Sequence, residues 1–242
     1  MKAVGIIVAG GVGKRIVGDP ATGGEGDLPK QFLTLGDKPI LAHTIDKFER
    51  CELIDEIILV VPKDYPEYCS QTIVNKYSFK KIRRIVCGGK ERQDSVYLGL
   101  KACPQSTSIV VIHDGVRPLI SPEKISESIK LCQQKKAVIL AVPPKETIKR
   151  VENGSVVTTL DRKKLWLIQT PQVFEYKLIL DAYEKAREDD FIGTDDSILV
   201  ERLGHEVVVL EGEYENIKIT TAEDLAIAER LLEMKKKKDA SP

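Results

Sequence analysis

The sequence predicts an α/β fold, a Rossmann-like open, mostly parallel sheet with helices on both faces and a projecting β-hairpin arm. Three observations carry that reading. Short β-branched runs alternate with helix-period segments up to Val142, the rhythm of parallel strands joined by crossover helices. Polar clusters follow three of those runs, and an open parallel sheet gathers its ligands at the C-terminal ends of its strands. Beyond Val142, an Asn-Gly pair between two β-branched stretches marks a hairpin that breaks the rhythm.

In chain order, strands are expected at about 2–8, 56–61, 81–86, 109–113 and 137–142. Helical periodicity fills Pro39 to Cys51, Pro66 to Lys76, Ser95 to Ala102 and Pro122 to Lys135, with Ser121 as the N-cap of the last. Thr147 to Val151 and Val156 to Leu160 flank Glu152-Asn153-Gly154-Ser155, the hairpin turn. A two-stranded ribbon has little core of its own, so it projects as an arm and is marginal in water without a partner. A two-fold contact between copies would cover it. Helix, helix, strand and helix return at 176–188, 195–203, 207–211 and 221–234. This organisation makes 1–234 a single domain, with 144–166 as a dimerisation arm and 235–242 as a disordered basic tail. Val17 to Asp27, rich in glycine and acids, reads as a flexible loop.

Composition narrows the function. The 242 residues are 42% hydrophobic and 31% charged, and 37 basic residues balance 37 acidic ones. With no net charge, nothing global draws the chain to nucleic acid or to a membrane surface, so an anion site has to be built locally. No apolar run is membrane-length and the first residues carry no signal-peptide pattern. The five cysteines are odd in number and scattered, which reads as reduced thiols and a cytoplasmic location.

The most informative stretch is Val4 to Val8 running into Ala9-Gly10-Gly11-Val12-Gly13-Lys14-Arg15, followed by Pro29-Lys30-Gln31. Glycines after a strand let backbone N–H groups approach a phosphate. The spacing fits neither common nucleotide fingerprint: Ile16 stands where a dinucleotide loop has its third glycine, and Gly-Lys-Ser/Thr never occurs. Two cations, Arg15 and Lys30, accompany the loop instead, which points to a polyphosphate reacting at phosphorus. A tight glycine turn with solvated charges is the alternative. Convergence weighs against it, because Gly88-Gly89-Lys90-Glu91-Arg92 and His113-Asp114-Gly115-Val116-Arg117-Pro118 follow two other strands. His113 ends a strand and either orients Asp114 or fills the core.

Eight motifs occur in order: Gly-x-Gly-x-Arg, Pro-Lys-Gln, Gly-Gly-x-x-Arg-x-x-Ser-Val (88–96), His-Asp-x-x-Arg-Pro (113–118), Asp-Arg (161–162), Gln-Thr-Pro-Gln (169–172), Thr-Asp-Asp (194–196) and Asn-Ile-Lys-Ile-Thr (216–220). From Val4 to about Leu232 the chain resembles the 2-C-methyl-D-erythritol 4-phosphate cytidylyltransferases of the non-mevalonate isoprenoid pathway. The resemblance implies that CTP and a polyol phosphate give a CDP-alcohol and pyrophosphate, with Mg2+ or another divalent cation as cofactor. It makes Arg15, Lys30, Arg162 and Lys218 the catalytic cations. It places the nucleotide on Ala9, Gly10, Gly11, Gly13, Gly88, Gly89, Arg92, Ser95 and Asp114, with Ser95 and the Gly88-Gly89 backbone against the cytosine. Asp114 looks like a ribose ligand or the metal ligand. Arg117, Thr147, Arg162, Thr194 and Lys218 resemble the acceptor pocket, Thr147 and Arg162 coming from the partner's arm in a homodimer.

Ordinary alternatives stand beside these roles: an ion pair of Arg92 with Glu91 or Asp94, one of Arg162 with Asp161, and a solvated strand end for Lys218. The chain also departs from the family's pattern. The loop Ile16 to Leu28 is long, Gly115-Val116 replaces Ala-Ala and brings Val116 toward the ribose, and Glu146 replaces Asp before Thr147. Two rival functions remain open: transfer to ribitol 5-phosphate, and a non-catalytic nucleotide-binding dimer.

Overall fold

A computed structural model describes residues 1–11 and 28–239, with side chains through Lys237. Gly13, Arg15 and the Val17 to Asp27 loop lie outside the described residues. The described residues hold eleven strands: β1 (Lys2–Val8), β2 (Thr34–Leu35), β3 (Lys38–Pro39), β4 (Glu56–Val61), β5 (Ile82–Cys87), β6 (Thr107–Asp114), β7 (Ala137–Val142), β8 (Lys149–Glu152), β9 (Ser155–Thr159), β10 (Leu167–Glu175) and β11 (Val208–Glu211). The helices are α1 (Ile40–Arg50), α2 (Pro66–Cys69), α3 (Arg92–Lys101), α4 (Pro122–Lys135), α5 (Tyr176–Glu188), α6 (Ser197–Arg202) and α7 (Ala222–Asp239).

Seven strands form one sheet in the order β11-β7-β10-β6-β1-β4-β5. Strands β4, β1 and β6 run parallel, and β10 lies antiparallel between β6 and β7. The chain builds outward from β1 to β4 and β5, then returns to lay β6 on the other side of β1. That reversal opens a crevice at the strand C-termini.

Side chains alternate across β1 as strand geometry requires. Ala3 and Ile7 join α1, α2 and α4 in one core, and Val4, Ile6 and Val8 join α3, α5 and α6 in the other. Gly5 is small for a reason: a Cβ there would stand 2.7 Å from Phe48. A third, smaller core unites Leu33, Leu35, Val116, Ile219, Ala228 and Leu232, and packs α7 onto the β2–β3 hairpin.

The arm is present as β8 and β9, with Asn153 (φ 50°) and Gly154 (φ 79°) supplying the left-handed turn that an Asn-Gly hairpin needs. Every residue of both strands is exposed. Several elements differ from the sequence expectation, among them the short β2–β3 hairpin, which takes Pro39 out of the helix expected there. Strand β10 was not expected, because Pro171 cannot donate to a ladder; its pairing with β7 shifts register between Ile168 and Gln172, around that proline. The helix from Pro66 turns π-helical at Ser70–Asn75. Helix α3 starts at Arg92 rather than Ser95, because Glu91 and Asp94 form a capping box that satisfies the orphan amides of its first turn. The expected disordered tail is helical through Asp239, held where Lys235 pairs with Glu215 at 3.1 Å and donates to the Leu119 carbonyl.

Candidate active site

Three strand ends meet at the crevice through glycine. The Cα atoms of Gly10, after β1, and Gly88, after β5, are packed so closely that a Cβ on either would lie 3.0–3.2 Å from the other's Cα and 2.9 Å from Ser95 Oγ. Ser95 is buried; its hydroxyl accepts from Gly89 N (3.1 Å) and donates to the Glu91 carbonyl (3.1 Å). The hydroxyl thus shapes the 88–91 turn, and Ser95 lines the cavity beside it together with Gly89. Gly115, after β6, is equally confined: a Cβ would stand 3.0 Å from Ala9 Cβ and 3.2 Å from Val8 O. An alanine at 115 would press on these neighbours. Val116 is buried against the third core and also lines the cavity.

Below these turns lies a chain of charges. Arg92 sends two parallel hydrogen bonds to Asp196 (2.9 and 2.8 Å) and a third, from Nε, to Asp114 (2.9 Å). Its ion pairs are therefore with Asp114 and Asp196, not with Glu91 or Asp94. Asp196 has no solvent exposure and also accepts from the Tyr183 hydroxyl, while Gln172 Oε1 accepts from the Asp196 and Ser197 amides. Burial alone would raise the Asp114 carboxyl pKa, but Arg92, Lys218 and Arg117 outweigh it and hold the group well below the usual carboxylate range. Lys218 reaches Asp114 at 2.9 Å and Arg117 at 3.7 Å, so Lys218 is an ion-paired group rather than a solvated strand end.

His113 completes the support. Its Nε2 faces the Arg117 carbonyl at 3.1 Å, an acceptor only, so Nε2 carries the proton. Burial pushes the ring pKa down to about 4, which leaves it neutral with Nδ1 as acceptor. The Thr170 hydroxyl therefore donates to Nδ1 (3.1 Å) while accepting from the Asp114 amide (3.0 Å). Both sequence readings of His113 hold together: it is a core residue that fixes the turn carrying Asp114 and Arg117.

Two adjoining cavities, of about 170 and 300 Å³, share Arg92, Asp114 and Lys218 as their common wall. Ala9, Gly10, Gly11, Gly89 and Lys30 line the first; Arg117, Gln169 and Thr194 line the second. Burial and then Lys218 lower the Lys30 pKa, with Asp114 and Asp224 pulling it back. Arg117 donates from Nη1 to the Asn216 carbonyl (2.8 Å), yet its buried Nε has no hydrogen-bond acceptor among the described residues. Its charge is already shared with Asp114, whose Oδ2 lies 3.7 Å from Nε, and the guanidinium also lines the second cavity, where it favours an anion. Thr147 and Arg162 do not reach this crevice. Both are exposed on the arm, where Arg162 donates to the Lys145 carbonyl rather than pairing with Asp161.

A divalent cation does not fit Asp114 as it stands. One carboxylate oxygen takes Arg92 and the other Lys218, and among the described residues no group of three or more His, Cys, Asp or Glu could hold a metal. Sequence reasoning also passed over Gln31, Asp196, Tyr183 and Asn216. Asp196 and Asn216 sat inside quoted motifs, but their partners, Arg92 and Gln169, are distant in sequence.

Comparison with known proteins agrees with this geometry. Residues 3–234 match the family profile described as 2-C-methyl-D-erythritol 4-phosphate cytidylyltransferase. A protein of that name from Clostridioides difficile (strain 630) is 48% identical over 98% of this chain and 96% of its own length. Another from Alkaliphilus oremlandii (strain OhILAs) is 48% identical over 96% of this chain and 95% of its own. Among solved structures, the 4-diphosphocytidyl-2C-methyl-D-erythritol synthase from Anaerococcus prevotii DSM 20548 superposes with a TM-score of 0.83 at 37% identity, covering 96% of each chain. With every crevice motif and all of the sheet but Lys2 inside the matched region, the chain belongs to the 2-C-methyl-D-erythritol 4-phosphate cytidylyltransferase family.

Proposed function

We propose that this chain transfers the cytidylyl group of CTP to 2-C-methyl-D-erythritol 4-phosphate, giving 4-diphosphocytidyl-2-C-methyl-D-erythritol and pyrophosphate. The observation that carries the proposal is the pair of cavities divided by Asp114 and Lys218, one glycine-walled and one lined by Arg117 and Thr194. CTP occupies the first and the acceptor phosphate the second. An acceptor oxygen bonds to the α-phosphorus as the bond to the β-phosphate oxygen breaks, in line. The acceptor monoester has a second pKa near about 6, so it is already ionised at neutral pH and no general base is needed. The obstacle is repulsion between two anions. Fixed cations offset it where charge gathers in the transition state, and Lys30, Lys218 and Arg15 fill that role. A divalent cation, where bound, neutralises triphosphate oxygens with few protein ligands.

The enzyme works as a homodimer in which the partner's arm brings its Thr147 and Arg162 to the acceptor. Val151 (53% exposed), Val156 (58%) and Val157 (46%) on the arm, with Trp166 at its root, support such a contact. Five free thiols support a reducing compartment such as the cytoplasm. Among the described residues, no helix is long and apolar enough to cross a membrane.

Phosphorus NMR of CTP mixed with each acceptor tests the proposal. The expected result is a diphosphate diester and free pyrophosphate with methylerythritol 4-phosphate and far slower turnover with ribitol 5-phosphate. Preference for the ribitol ester would reassign the substrate, and CTP left unconsumed with both would leave only a nucleotide-binding protein.

A further inference from the structure

We infer that Gln31 is a positioning residue that ties the glycine loop to Lys30 and so sets where the cation stands relative to the nucleotide's phosphates. The inference rests on the reaction proposed above and adds a residue to it. Residues 12–29 separate Gly11 from Lys30 in sequence, so chain continuity alone does not fix the distance between loop and cation. Gln31 spans that gap directly. Its carboxamide is 2% exposed, and Nε2 donates to the Ala9 carbonyl at 2.6 Å and to the Gly11 carbonyl at 3.2 Å. In a trans peptide the N–H points opposite to the C=O. Holding the Ala9 carbonyl on Gln31 therefore turns the Gly10 N–H to the other side of the loop.

On its far side the turn is equally fixed. Phe32 is buried and its ring lies 5.2 Å from Tyr65 and 5.1 Å from Tyr68, and the Phe32 and Leu33 amides donate to the Pro29 and Lys30 carbonyls. Lys30 thus stands on a short turn with an aromatic anchor on one side and the glycine loop on the other. Gln31 also lines the first cavity, but both Nε2 protons point at backbone carbonyls of the loop, so its donor group acts through the loop and Lys30.

The test compares Gln31→Met, which keeps length and bulk but loses the donor, with Gln31→Glu, which sets a carboxylate against the two carbonyls. Each is measured for kcat, KM for CTP and thermal midpoint, and Gln31→Met is also combined with Lys30→Ala. Misplacement by about an ångström can cost about 100-fold. The expected result is a kcat lowered about 10- to 100-fold in Gln31→Met and at least as far in Gln31→Glu, with a smaller change in KM. The double variant should be within about 3-fold of Lys30→Ala alone, since residues acting through one group do not add. Hydrogen–deuterium exchange, read without substrate, should show faster uptake in residues 9–11 of Gln31→Met. Unchanged kcat, or losses that multiply fully in the double variant, would overturn the inference. Should the wild type fail to consume CTP, the reaction is wrong, and exchange alone decides: unchanged uptake at 9–11 rejects the tie, faster uptake sustains it.

Discussion

At Lys30, burial and the neighbouring Lys218 both favour loss of the proton, and Asp114 and Asp224 oppose them. A lysine held charged among cations is costly in the resting site and most useful when the α-phosphorus becomes crowded with oxygen. Lys30→Ala should lower kcat by about two to three orders of magnitude, as loss of a preorganised donor does. The Michaelis constant for CTP should change less; a normal kcat with only a raised constant would assign Lys30 to ground-state binding. Asp196 acts at the same scale from behind. With both Arg92 Nη groups and the Tyr183 hydroxyl on one buried carboxylate, Asp196→Ala would leave those donors without their acceptor beside the crevice. Breaking such a pair typically costs about 3–5 kcal/mol, readable as a lower midpoint in urea. A midpoint within experimental error of the wild type would show that water replaces the carboxylate. The sequence offered Asp196 only as part of Thr-Asp-Asp, since the role exists through a partner that folding brings from Arg92.

Among the elements, strands β1, β4, β5, β6 and β7 were legible because β-branched runs bounded by polar residues have few other uses. Strand β10 was not, since its pattern is interrupted by Gln169 and Thr170, which line the site, and by Pro171. The last turns of α7 were missed for a related reason: a lysine run looks solvated until Glu215, Asp37 and the Leu119 carbonyl are placed beside it. The arm was read correctly as a hairpin from Asn153-Gly154, and its exposed valines set up a prediction. Arg162→Ala and Lys30→Ala should each be nearly inactive as homodimers. Mixed after subunit exchange, shown by mass spectrometry of tagged chains, they should recover activity toward one intact site per heterodimer. Exchange without recovery would place Arg162 in the site of its own chain.

Across the whole molecule, the third core links the two halves of the crevice. Leu33 and Leu35 flank the Lys30 turn, Val116 precedes Arg117, and Ile219 follows Lys218, so one small apolar cluster supports three of the cations. The buried imidazole adds a pH dependence to the same fold. His113 titrates near about 4 when folded against about 6.5 when unfolded, so the unfolded chain binds the extra proton between those values. Stability should therefore be intact above pH about 6.5 and fall by about 3 kcal/mol as the pH drops toward 4. His43, pushed down by burial, acts in the same direction. Asp114, held low, contributes above the ordinary aspartate range and is lost only at still lower pH. Urea titrations at pH 7 and 5 would measure the slope, and Gln at position 113 should flatten it.

In the reaction proposed above, positioned charge rather than proton transfer by a side chain lowers the barrier, and the pH dependence of kcat/KM distinguishes the two. The expected profile rises through about pH 6 as the acceptor phosphate ionises, then reaches a plateau. The decline should come below the ordinary lysine value of 10.5, because the Lys30 pKa is lowered. Lys30→Arg should remove that decline, and the acidic limb should stay in place in His113→Gln. A limb near neutrality that vanishes on changing one side chain would identify a general base and contradict the account.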